Sequence, residues 1–132
     1  MKQTIFFALL LLSFTLLVSC EKKDTSWSIT IYGNVVEKSG NLISNVQVSV
    51  TGFYHKGSGR ESTSGYLSGI SSVTGADGTY EMVISMPSGS TDAELDIVAE
   101  KNGYYSAKSS LYVTPDMSET KMQKSFTMRK NE

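Results

Sequence analysis

Cysteine and histidine each occur once in this chain, and proline only twice. One cysteine cannot close an internal disulfide. One histidine with no free thiol beside it cannot build a zinc site of the usual Cys/His spacing. Nucleophile–base catalysis would need His55 paired with an activated serine or a thiol. No Gly-x-Ser-x-Gly elbow is present to supply the serine. An excess of one charge is missing as well: 12 Lys and Arg stand against 13 Asp and Glu, a net charge of -1. That balance gives no electrostatic reason for a nucleic-acid partner. No segment carries a helical stripe, and nothing recurs at a fixed period. Apolar residues at 39% nevertheless fit a folded domain, not a disordered chain.

The N-terminus departs from the rest. Lys2 gives a positive start, and Ile5 to Val18 is apolar apart from Ser13 and Thr15. A spanning helix needs roughly twenty apolar residues, and this run is shorter. It has the layout of a secretory signal, with an uncleaved membrane anchor as the alternative. The single cysteine, Cys20, follows directly and is followed by Glu21-Lys22-Lys23-Asp24. Leu17-Val18-Ser19-Cys20 resembles the lipobox of bacterial lipoproteins. The resemblance implies cleavage before Cys20, a diacylglycerol on its thiol and acylation of the new amino group, palmitate being one such chain. Each buried methylene adds about 0.8 kcal/mol of membrane affinity, so two or three chains anchor durably. A dimer-forming spacer thiol and a buried core cysteine are the alternatives. The expected layout is a signal peptide over 1–19, a polar tether over 20–26 and one domain over 27–132. The resemblance places the protein in the bacterial cell envelope, at the outer membrane, facing either side.

From Trp27 onward the pattern has period two. Ile29, Ile31, Gly33 and Val35 alternate with polar neighbours, as do Val46, Val48 and Val50. Tyr80 to Met86, Leu95 to Ala99 and Tyr105 to Val113 follow the same rule, and Phe126 and Met128 close the series. Ile70 and Val73 mark one more short strand. The breaks carry turn chemistry: Ser39-Gly40-Asn41, Asp77-Gly78, Pro87-Ser88-Gly89 and Asn102-Gly103. This predicts an all-β fold, an antiparallel seven-stranded β-sandwich.

Three stretches resemble the carboxypeptidase regulatory-like domains, which have a transthyretin-like (prealbumin-like) sandwich. In the first, Gly33, Val35, Gly40, Ile43, Val46 and Val48 fall on the family pattern. In the second, Thr74, Gly78, Tyr80 and Met82 match Thr-Asp-x-x-Gly-x-Tyr-x-apolar. In the third, Ala99, Gly103 and Tyr104 match Ala-x-x-x-Gly-Tyr. Leu42, Asn45 and Gly75 depart from it, standing where the family has Pro, Gly and Asp. Asn tolerates the left-handed backbone region that Gly would occupy. These motifs set turns and core positions, so they imply a fold and leave function open. A transthyretin-like hydrolase would need more histidines than this chain has.

The remaining features are faint. Asp92, Glu94 and Asp96 are close together, but they match no calcium-loop motif and read as a solvated strand face. Lys56 to Gly69 is Ser/Gly-rich and reads as a long loop. Tyr54, His55, Arg60 and Tyr66 are its candidate binding residues, since rings and a guanidinium at a loop tip can stack on a sugar or contact a protein. The expectation is a non-catalytic accessory module with no catalytic residues, no metal and no cofactor. It would be held to the membrane by lipid on Cys20 and contact an envelope protein or glycan. A subunit pairing through an exposed sheet edge is the alternative.

Overall fold

A computed structural model describes residues 26–57, 60 and 62–131. The signal peptide, Cys20 and most of the tether lie outside the described residues. Eight strands form: β1 (Trp27–Glu37), β2 (Gln47–Lys56), β3 (Thr63–Val73), β4 (Thr79–Met86), β5 (Ser90–Glu100), β6 (Ala107–Val113), β7 (Lys121–Gln123) and β8 (Phe126–Met128). They make two four-stranded sheets. In the first, β1 is central, with β4 antiparallel on one side and β7 and β8 parallel on the other. The second has the order β3-β2-β5-β6 and is antiparallel throughout.

The predicted two-sheet, all-β architecture is present, with two corrections. Among the described residues there are eight strands, not seven. The first sheet is mixed, not purely antiparallel. Both follow from the path after β6. A 3₁₀ turn at Pro115–Met117 carries the chain across to the first sheet, where it runs back along β1 in the same direction. That return is split into β7 and β8 at Lys124–Ser125. There Lys124 N–H donates to the Tyr32 carbonyl (2.8 Å), and the Tyr80 hydroxyl donates to the Lys124 carbonyl. A Cβ on Gly33 would stand 2.2 Å from that same carbonyl, so the break needs a residue without a side chain there.

Alternation decides what each strand buries. Ile29, Ile31 and Val35 of β1 face Val48, Val50, Leu95 and Ile97 of the other sheet, all essentially inaccessible to water. Tyr80, Met82, Ile84, Met86, Phe126 and Met128 complete the layer between the sheets. Burial of this apolar surface, at roughly 25 cal/mol per Å², is the main force holding the sheets together.

The β1–β2 and β3–β4 connections converge at one end of the sandwich. Asn45 sits there with φ 59°, the left-handed conformation expected of it. Thr74 is buried beside it and fully satisfied. Its Oγ1 accepts from Val46 N–H (2.9 Å) and donates to the Ile43 carbonyl (2.9 Å). Its own N–H donates to the Val46 carbonyl (2.9 Å), and its carbonyl accepts from Asn45 N–H (3.0 Å). The opposite end holds the start of β1, the β4–β5 turn and the tip of the β2–β3 hairpin. Trp27 pairs with Met86 there, Trp27 Nε1 donates to the Ser90 carbonyl (2.8 Å), and Lys56 pairs with both Ser90 and Thr63.

Candidate functional site

The expected long loop over Lys56 to Gly69 is mostly strand. β2 runs to Lys56 and β3 starts at Thr63, leaving only residues 57–62 between them. Ser64, Gly65, Ser68 and Gly69, which read as loop residues, sit on an edge strand whose outward positions meet solvent. In that strand only Leu67 is fully buried. Pairing with β2 fixes the segment: Phe53 lies opposite Tyr66, Tyr54 opposite Gly65 and His55 opposite Ser64.

The four expected binding residues therefore do not converge. His55 and Tyr66 point outward from the second sheet. Tyr54 points to the other side, half-buried against the core, and its ring fills the space a side chain on Gly65 would need. Lys56 Nζ lies 5.6 Å from the centre of the same ring. Arg60 is exposed at the hairpin tip.

What the outer face does assemble comes from all four strands of the second sheet. β5 is paired with β2 on one side and β6 on the other, so cross-strand rows form. One row holds His55 and Asp92, and the next holds Tyr66, Phe53, Glu94 and Tyr112. Asp92 is the hub of the first. Its Oδ1 accepts from Thr91 Oγ1 (2.8 Å), and its Oδ2 accepts from the Tyr112 hydroxyl (2.9 Å). His55 Nδ1 stands 3.3 Å from the same Oδ2. That nitrogen is screened from water and lacks an aligned hydrogen-bond partner, so the contact is proximity, not a formed bond.

The charges follow from these partners. The Thr91 hydroxyl does most to hold the Asp92 carboxyl below the usual carboxylate range; burial, next in size, opposes it, and Tyr112 and His55 add to the lowering. The Tyr112 phenol is raised, chiefly because it donates to Asp92, with burial and the charges of Asp92 and Glu94 adding to it. Tyr112 is exposed and Asp92 half-buried at the surface, where solvent screening keeps the contribution to stability small. A carboxylate beside an imidazole can orient that ring for proton transfer. The serine opposite His55 is Ser64, and no hydrogen bond joins the two among the described residues.

Sequence reasoning missed Asp92 and Tyr112 as partners of His55, because register alone brings them together. Tyr112 carried a usable signal: it is the outward residue between inward Leu111 and Val113. Phe53, on the outer face of β2, was not among the expected binding residues. On the structure it packs on Tyr66, with centroids 5.2 Å apart and the planes tilted by 60°.

No protein-family model and no curated protein matches the chain. Solved structures do match. Wild-type catechol 1,2-dioxygenase from Acinetobacter radioresistens is 13% identical with a TM-score of 0.50, over 80% of this chain and 53% of that one. Chlorocatechol 1,2-dioxygenase from Pseudomonas putida is 16% identical with a TM-score of 0.49, over 83% and 63%. The chain thus spans between about half and two-thirds of the length of these enzymes.

The first likeness corrects an expectation. A non-catalytic role, as accessory module or edge-pairing subunit, was expected because the fold motifs carry no chemistry. The Acinetobacter protein places a similar fold in an enzyme, so the fold gives no ground for excluding catalysis. At 13% identity the likeness extends to the fold alone. Among the described residues no three His, Cys, Asp or Glu side chains are grouped to hold a metal.

Proposed function

We propose that this chain is a lipid-anchored protein of the bacterial cell envelope, with a β-sandwich body of the carboxypeptidase regulatory-like type. The single cysteine carries the reading. Cys20 follows an apolar run too short to span, within Leu17-Val18-Ser19-Cys20. Acylation converts a thiol that would be reactive in an oxidising compartment into an anchor. The three turn-and-core stretches named above support the body's assignment. β1 starts at Trp27, so the tether over 20–26 reaches no further than about 25 Å when fully extended. The Trp27 end of the sandwich then lies toward the membrane. The Thr74 end points away from it.

Replacing Cys20 by serine tests this. With the anchor lost, the protein moves from the detergent-soluble membrane fraction and no longer incorporates labelled palmitate. Retention of Cys20→Ser in membranes at full length would instead assign anchoring to the uncut apolar segment.

A further inference from the structure

The outer face of the second sheet holds a groove of about 420 Å³ between β2, β5 and β6. Its walls are the rings of Phe53 and Tyr112, with Glu94 between them and Asp96 and Ser110 one row along. Phe53, Tyr66 and Tyr112 are 54%, 58% and 53% exposed, although a ring on an isolated sheet face gains nothing by staying in water. The Glu94 carboxylate forms no hydrogen bond or ion pair with any described residue. Asp96 accepts one hydrogen bond, from Ser110 Oγ (3.1 Å), which leaves its second oxygen open. Lys124 reaches toward this side, but its ammonium meets the Ser110 carbonyl (3.5 Å), not a carboxylate.

We propose that this groove binds a basic polypeptide segment in extended form, with a Lys or Arg side chain seated between Phe53 and Tyr112 against Glu94. Three observations select this occupant. An uncompensated carboxylate between two exposed aromatic residues suits a cation, which gains both charge pairing and ring attraction. Glu94 and Asp96 are two residues apart on one strand, hence about 7 Å, the same repeat that separates alternate side chains of an extended peptide. A second copy laid face to face would set Asp92, Glu94 and Asp96 against their own counterparts, which disfavours self-association here. The site is independent of the anchor, and Cys20→Ser retains it.

The experiment uses the full chain in a nonionic detergent and a fluorescent Gly-Lys-Ser-Lys-Gly peptide, read by anisotropy. Saturable binding is expected, weakened by added salt. Acetylating both peptide lysines abolishes it. Glu94→Gln and Phe53→Ala each weaken it by about tenfold or more, Asp96→Asn by less, all without change in melting temperature. No saturable binding, or binding that Glu94→Gln leaves intact, would overturn the proposal. So would preference for a neutral oligosaccharide that depends on Phe53 but not on Glu94, which would make the face a sugar platform.

Discussion

The two sheets of the sandwich are built alike and used differently. The first is braced where the returning chain meets β1. Its central strand, β1, is paired on both sides, and Gly33 admits the backbone of Lys124 where no side chain fits. Tyr80 reaches across the core edge to cap the same Lys124 carbonyl. The second sheet packs its inner face equally well, but its outer face keeps three rings and two open carboxylates in solvent. The difference teaches where substitution should be felt. Changes in the first sheet act on stability, and changes on the outer face of the second act on binding.

The largest effect is expected at Gly33. Gly33→Ala forces the Lys124–Ser125 break to move and should cost more than about 3 kcal/mol, lowering the melting temperature by roughly 10 °C or more. A small change in denaturant midpoint would show that the break is adaptable and the contrast between the sheets overstated. Thr74→Val comes next. It keeps the volume but orphans Val46 N–H and the Ile43 carbonyl, for a loss of about 2–3 kcal/mol in urea unfolding.

Tyr80→Phe removes one hydrogen bond to a backbone carbonyl and should cost about 1 kcal/mol near neutral pH. It also sharpens the comparison through alkaline pH. Burial pushes the Tyr80 phenol up from 10.0 to about 12. A raised phenol pKa means stability fully present below the unfolded value and lost as pH rises through the folded one. Wild type should therefore lose stability between pH 10 and about 12, and Tyr80→Phe should flatten that limb in thermal melts across the range. The smallest effects belong to the second sheet's face. Phe53→Ala and Tyr66→Ala should stay within about 0.5 kcal/mol of wild type, as exposed substitutions do.

Much of the frame was legible because alternation and turn chemistry agreed. Every buried residue of β4, from Tyr80 to Met86, stands at the position that period two assigns. Asn45 takes the left-handed conformation that its place in a turn required. β3 was not legible over its first half. Thr63 to Gly69 has little β propensity of its own, and it is ordered by pairing with β2. β7 is three residues with no alternation to detect, formed only because the chain must return beside Thr30 to Tyr32. The outer-face cluster was half-legible. His55 and the carboxylates of β5 could be named from the sequence, but His55 meets Asp92, and Glu94 falls between Phe53 and Tyr112, only through cross-strand register. Residues on different strands share a site when the sheet aligns them, and no local pattern records that alignment.

Attachment through Cys20 is decided by an intact-mass measurement on protein purified from its native membrane. The predicted product begins at Cys20 and carries the added mass of a diacylglycerol and an amide-linked acyl chain. A chain that retains residues 1–19 with an unmodified thiol would contradict it.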